Sequence, residues 1–475
     1  MPRALLALAA ALALLHLTLP LDALPRLVSR NYNEGWNAYH ALAVGSEHPL
    51  YPEPAGLFPN NYPPLSFPVV SFAGRLLGDP LRAGRLVSLL ALLVLSVEIG
   101  WLARRFTGST ALGVFAGLLF PASLGTVAED YVATNDPQLL GHALVLGGLV
   151  LLGEGRSPAR LALAALSMVL GGLVKHNLIA LPLAVTLWLL GRERRALASW
   201  LLASALFVAG ALGLLWLVSG AAFFSSVLAP RGTSLALAAW ASADALESLA
   251  APLAVGVLAA REAWRDSDAR LLALYAACAL ALGFAATAGE GVARNAYFDL
   301  LIALCLLGAF LVARVSALVP SGARVIPTCA LALALLLGPL IAAPDALLGL
   351  PERLEAQRRL EAVTREDVAY LAARPGPAVC ETLALCFWAG KPPGVDLFNS
   401  QQLFRSGRAD PERFLERAAR GELGVVQLTG IAPNRDDDRV SGQLSHALQL
   451  HYVVDRVSGN GVFLRPRHAP TAREP

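Results

Sequence analysis

Two carboxylates, Glu34 and Asp136, each stand where a helix is about to begin. Glu34 lies in Asn31-Tyr32-Asn33-Glu34-Gly35-Trp36-Asn37-Ala38-Tyr39-His40, and Asp136 in Asn135-Asp136-Pro137-Gln138. Unpaired N–H groups at a helix start favour an acid there, so each residue has a capping role beside any catalytic one. As a general base, either would take the proton of an attacking hydroxyl, an effect worth roughly 10²–10⁴-fold in rate. Glu129, Glu47 and Glu53 are the weaker acids nearby, Glu47 before a His48-Pro49 turn and Glu53 in a Pro-rich stretch. Two cations complete the set: Lys175 in Lys175-His176-Asn177, and Arg294 in Arg294-Asn295-Ala296-Tyr297. Lysine occurs only at 175 and 391. Between two apolar stretches, such a side chain either serves function or snorkels to lipid headgroups. Tyr62, His176, Asn295 and Tyr297 add further polar groups. Together these types suit an anionic headgroup beside a polar acceptor, with a base for the acceptor and cations for a departing phosphate.

The elements that must position them are apolar. Of 475 residues, 56% are hydrophobic and 15% charged, and the mean hydropathy is +0.56. Soluble domains carry about 25% charged residues, so an ordinary soluble enzyme, a disordered chain and a nucleic-acid binder are excluded. The net charge of +3, from 38 basic and 35 acidic residues, is too balanced for a polyanion partner. Five cysteines without CxxC spacing give no zinc site. No Walker loop, GxGxxG or GxSxG motif occurs.

A span needs about 20 apolar residues. Candidate spans are 4–21, 84–103, 109–125, 137–153, 159–174, 177–191, 197–218, 244–260, 270–288, 296–313 and 325–343. The pattern predicts an all-α polytopic membrane protein of about 11 spans, with juxtamembrane helices in the first outer loop. Arg104, Arg105, Arg156, Arg160, Arg192, Arg194, Arg195, Arg261, Arg265, Arg270, Arg314 and Arg324 fall in loops on one side, which the positive-inside rule makes cytoplasmic. The candidate residues fall on the opposite side, with a long loop 22–83 and the tail.

The composition changes at Pro344, which divides a membrane domain, 1–345, from a small extracytoplasmic α/β domain, 346–475. In the tail, 352–373 and 411–420 read as helices, the second capped by Asp410 with Pro411 following. Residues 378–381, 394–397 and 424–428 read as short strands, and 451–457 with 462–466 as a hairpin about Ser458-Gly459-Asn460-Gly461. Cys380 and Cys386 lie in the oxidising compartment on this topology. A bridge between them is open, and two buried free thiols are the expectation.

The ordered motifs resemble the multi-pass GT-C glycosyltransferases, specifically the bacterial family-39-like group that uses polyprenyl-phosphate sugars and includes the lipid A aminoarabinose transferases. NEGWNAYHA is similar to the first-loop acidic motif, and NYPPLSFPVVSFAGRLLG to the Pro-Pro juxtamembrane segment. VKHNLIALPLAVTLWLL resembles the Lys-bearing helix start, and ARNAYFDLLIALCLLGAF the late Asn-x-Tyr-Phe helix. The likeness covers about 1–345. It implies transfer of a sugar from a lipid phosphate to a cell-envelope acceptor (lipid, glycan or protein) at the outer face of the bacterial inner membrane. The family motif often has Asp before Glu, whereas this chain has Asn33 before Glu34. The base role therefore falls to Glu34, with Asp136 in support, and Lys175 or Arg294 facing the phosphate. No cofactor is implied with certainty; a divalent cation between Glu34 and Asp136 is the one candidate. The rival classes are a secondary transporter, a non-catalytic scaffold, and an oligosaccharide ligase or polymerase acting on a pyrophosphate lipid.

Overall fold

The structure is a computed structural model describing residues 1–52, 56–153, 155–229, 231–430, 435–437 and 439–468, apart from the Ser321 side chain. Glu53 lies outside the described residues. The apolar runs become helices, four of them started by a side-chain cap at Asp79, Ser109, Ser157 or Ser234. α1 (Arg3–Ala23) leads into the first loop, which folds as α2 (Asn33–Ala43) and α3 (Ser66–Leu77). Asp79 then caps α4 (Pro80–Thr107) by accepting from Leu81 N at 2.8 Å, with Pro80 in the first turn. There follow α5 (Thr110–Val127), α6 (Gln138–Leu152), α7 (Pro158–Val174), α8 (Ala180–Leu190) and α9 (Arg194–Val227). The membrane part closes with α10 (Leu235–Glu247), α11 (Ala250–Trp264), α12 (Arg270–Thr287), α13 (Phe298–Leu318), α14 (Val325–Leu335) and α15 (Leu337–Ala373).

The chain is a multi-pass membrane protein, and every expected span is helical, although 244–260 and 325–343 each cross a bend between two helices. The expected count of about eleven spans is met only in part. Among the described residues six helices are long and apolar enough to cross, and up to eight if the bent pairs α10–α11 (89°) and α14–α15 (61°) each count once. α6, α7 and α8 have 15, 17 and 11 residues. At 1.5 Å per residue they rise about 17–26 Å, less than the roughly 30 Å hydrocarbon core. Residues 298–312 of α13 are all buried, so this helix, apolar all round, forms the centre of the bundle. α9 sits at the other extreme: only 6% of its apolar window is buried, which leaves its surface for lipid.

α15 runs without interruption through Pro344 and Pro351 into the tail, so the expected 345/346 boundary falls inside a helix. Beyond it come β1 (Ala378–Cys380), α16 (Leu383–Trp388), α17 (Leu397–Arg405), α18 (Pro411–Ala419), β2 (Val425–Leu428), α19 (Gly442–His451), β3 (Tyr452–Ser458) and β4 (Gly461–Pro466). The sheet order is β1-β2-β4-β3, parallel for β1–β2 and antiparallel for the rest. Asp410 caps α18 as its sequence predicts. The stretch 394–397, expected to be a strand, instead ends in a helix start, because Asp396 is the N-cap of α17 and accepts from Asn399 N at 3.1 Å.

Cys380 and Cys386 form a disulfide with Cα atoms 5.9 Å apart, which corrects the expectation of two free thiols. Alkylation of the denatured protein without reductant is expected to spare this pair and to label Cys278, Cys305 and Cys329. Labelling of all five would show that no bridge exists in the extracted protein.

The tail domain docks on the first loop. Tyr39 Oη donates to Lys391 O at 2.8 Å, and Asn61 Nδ2 to Asn399 Oδ1 at 2.8 Å. Tyr32 Oη donates to Asp396. Gly35 sits where a Cβ would run into the Leu383–Ala384 backbone, so the acidic motif needs glycine for α2 to lie against α16.

Candidate functional site

Glu34 is placed differently from expectation. The residue is fully buried, and Arg85, also fully buried, holds both its oxygens at 2.7 Å through Nε and Nη2. Arg30 N donates to Oε2 at 2.9 Å and Asn135 N to Oε1 at 3.2 Å. A carboxylate so enclosed has no open face for a substrate hydroxyl, which corrects the reading of Glu34 as outward-facing. Arg85 also donates from Nη1 to Ala23 O and Arg26 O, both at 2.8 Å, and from Nη2 to Val28 O at 2.5 Å. The pair therefore ties together the end of α1, the start of α2 and the first turns of α4. An arginine inside the expected span 84–103 was the signal for it, since an ion at that depth needs a partner.

Asp136 comes from the loop between α5 and α6. That loop is tightly set: Ala133 is fully buried with φ at 49°, a left-handed conformation rare outside glycine, and it aims Asn135 and Asp136 at α2. Asp136 Oδ1 accepts from Gln138 N at 2.9 Å, which is the expected capping role. Its Oδ2 accepts from Asn33 Nδ2 at 3.1 Å. Lys175 Nζ lies 3.8 Å from Oδ1.

Lys175 ends α7, buried to 7% exposure, and donates to Tyr62 Oη at 3.1 Å. Its ammonium also stands 4.2 Å from the Tyr62 ring centroid, a cation–π contact. Burial works to lower its pKa, but Asp136 and Tyr62 outweigh that and hold it above the ordinary lysine value. The lysine stays charged. For His176 the loss of solvent acts first and the nearby Lys175 and Arg231 charges add to it, pushing its pKa down to about 4. It is neutral at physiological pH.

These groups edge a cavity of about 390 Å³. Four of the candidates line it: Tyr62, Lys175, His176 and Asn295. Asp136 stands directly behind the wall, in contact with the lining residues Asn33 and Lys175. Arg294 and Tyr297 do not line it. Arg294 pairs with Asp244 at 2.8 and 3.0 Å, and Tyr297, 2% exposed, donates to Ser242 Oγ at 2.6 Å. Asn33 and Asn177 also line the cavity, inside the quoted motifs but not singled out there, and other lining residues come from parts of the chain that the motifs passed over, among them Arg231, Asn399, Gln402 and Arg408. The last three belong to the tail domain, so the cavity has a membrane-domain wall and a tail-domain wall.

The arrangement can hold an anion at Lys175 and a polyol along the amides, with one carboxylate near the anion. It does not suit a divalent cation between Glu34 and Asp136. Arg85 occupies the Glu34 oxygens, and among the described residues no three His, Cys, Asp or Glu side chains converge as ligands.

Residues 61–223 match the family described as dolichyl-phosphate-mannose-protein mannosyltransferase. No curated protein sequence matches the chain. Among solved structures, the chain is similar to ArnT from Cupriavidus metallidurans bound to undecaprenyl phosphate, with 15% identity, a TM-score of 0.61 and 100% of each chain covered. The apo form of that protein gives 15% identity and 0.60, over 96% of this chain and 97% of the other. The archaeal oligosaccharyltransferase AglB from Archaeoglobus fulgidus, in complex with an inhibitory peptide and a dolichol-phosphate, gives 13% and 0.53, over 99% of this chain and 74% of that one. The chain thus has the fold of these membrane proteins over its whole length, and its segment 61–223 matches the mannosyltransferase family model.

Proposed function

We propose that the chain transfers a sugar from a polyprenyl-phosphate donor to a cell-envelope acceptor, a lipid, glycan or protein, at the outer face of the inner membrane. The observation that carries this reading is Lys175, charged, buried and braced by Asp136 and Tyr62 at the wall of a sugar-sized cavity. The solved relatives carry undecaprenyl phosphate and dolichol-phosphate, which supports a lipid-phosphate donor. The outer location is supported by the arginine-rich loops at the far end of the bundle, where Arg156 and Arg192 flank Trp188. A disulfide in the tail domain fits the same side.

The chemistry follows from charge. The acceptor oxygen attacks the anomeric carbon, and the bond from that carbon to the phosphate oxygen breaks. The lipid phosphodiester, a monoanion, leaves as a monoester with a second negative charge developing. Lys175 meets that charge where it grows, so it favours the transition state over the bound donor. Asp136, directly behind Asn33 and Lys175, receives the acceptor proton once the donor phosphate draws Lys175 off its Oδ1, and Asn33 steadies its other oxygen. Glu34 acts at one remove: it fixes Asn135 through Asn135 N, and with it the loop that presents Asp136.

Lys175→Ala is expected to weaken binding of a polyprenyl-phosphate sugar about tenfold, equivalent to roughly 1.4 kcal/mol, and to leave acceptor binding unchanged. Competition binding on the purified protein in nanodiscs measures both. Equal loss of donor and acceptor binding would make Lys175 a structural residue and remove the observation on which the reading stands.

A further inference from the structure

Resting on the donor reading above, we propose that the sugar held in this cavity carries no positive charge. It is a neutral polyhydroxylated sugar or its uronic acid, selected against amino sugars by Arg231 and Arg408.

The wall is built of carboxamides. Asn33, Asn61, Asn177 and Asn295 come from the membrane part, and Asn399 and Gln402 from α17. Each side chain offers a donor and an acceptor on one rigid plane, which matches the paired hydroxyls of a sugar. Most are held in place by neighbours: Asn295 Nδ2 donates to Gln138 Oε1 at 3.1 Å, and Asn61 Nδ2 to Asn399 Oδ1 at 2.8 Å. Asn177 keeps a vacancy, since its buried Oδ1 has no hydrogen-bond partner. An unsatisfied buried acceptor is costly, and a ligand hydroxyl would satisfy it.

The charges point the same way. No Asp or Glu is among the described lining residues. Two carboxylates beside the lining are engaged: Asp136 by Asn33 and Lys175, and Glu290 by Gln402 Nε2 and Arg405 Nη1, each of these last two at 2.7 Å. By contrast, the Arg231 and Arg408 side chains line the cavity without an ion pair or hydrogen bond among the described residues. One phosphodiester charge is met by Lys175, so the two free guanidinium groups leave the rest of the cavity positive. An ammonium on the sugar would enter a positive field with no free carboxylate to receive it. A hydroxyl is indifferent to that field and a carboxylate is drawn to it.

The test uses three conjugates of undecaprenyl phosphate: a hexose, the matching uronic acid, and the matching amino sugar, with unglycosylated undecaprenyl phosphate as control. Binding is measured to the full chain in nanodiscs. At neutral pH the hexose and uronate conjugates are expected to bind at least tenfold more tightly than the amino conjugate. That gap should narrow as the pH rises past the titration of the amine. Arg408 is exposed and unpaired, so Arg408→Glu leaves the fold intact; it should weaken the uronate conjugate and strengthen the amino conjugate. An amino conjugate that binds as well as the hexose overturns the inference and leaves the donor reading standing. So does an unchanged ranking in both Arg408→Glu and Arg231→Gln. Failure of all four lipids to bind overturns the donor reading itself, and the inference with it.

Discussion

Glu34→Gln is expected to cost the fold about 3–5 kcal/mol, the usual scale for breaking one side of a buried ion pair, while the folded fraction keeps its turnover. The reason is what the change leaves behind. Arg85 stays fully buried with its charge, and it loses a carboxylate that met two of its nitrogens at 2.7 Å. Its remaining acceptors are backbone carbonyls at 23, 24, 26 and 28, which solvate a guanidinium without neutralising it. Removing both charges, as Glu34→Gln with Arg85→Met, should recover part of the loss, because the uncompensated ion is the larger penalty. Thermal unfolding in detergent, paired with transfer per folded molecule, separates the roles. A protein that unfolds at the parental temperature but turns over a hundredfold more slowly would restore Glu34 as the base.

Asp136→Asn is expected to lower turnover about a hundredfold or more, the scale of losing a positioned base, with the fold intact. Asparagine caps helices as well as aspartate does, so the contact with Gln138 N at 2.9 Å survives in kind. Donor affinity should move the other way. Without the carboxylate 3.8 Å from Lys175, the ammonium faces the donor phosphate undiluted, so binding holds or tightens while catalysis falls. Single-turnover transfer beside equilibrium donor binding reads the two separately. Near-parental transfer would take Asp136 out of the chemistry, and weaker donor binding would show that it orders Lys175 instead.

The parts of this molecule that were legible in sequence are those fixed by local pattern. Apolar runs gave the positions of the helices, Asp410-Pro411 gave α18, and the Ser458–Gly461 turn gave the β3–β4 hairpin. Span number was less legible, because hydropathy marks an apolar stretch and not whether α6, α7 or α8 is long enough to cross. Lys175, Tyr62, His176 and Asn295 stood out because they break an apolar context, and the fold brings them to one cavity. What failed depended on contacts distant in sequence. Glu34 looked open because Arg85, whose place inside a span called for a partner, lies 51 residues on, with nothing local to say which acid it meets. Asn399, Gln402 and Arg408 looked like ordinary surface residues, since only the docking of the tail on α2 brings them to the cavity. The misread strand at 394–397 has the same cause on a smaller scale: Val395 and Leu397 are apolar, but Asp396 between them caps a helix.

α15 has a mechanical consequence. Its 37 residues make a rod of about 55 Å. Its foot is packed among the membrane helices, where His16 Nε2 meets Pro339 O at 3.0 Å, and its far end joins the tail domain. A tilt of about ten degrees at the foot displaces a straight rod's tip by about 10 Å, unless Pro344 and Pro351 absorb it as kinks. Helix tilt answers to bilayer thickness. A change of tilt at the foot therefore reaches the tail domain through α16, against the restraint of the Arg26–Glu361 and Glu129–Arg353 pairs along the rod.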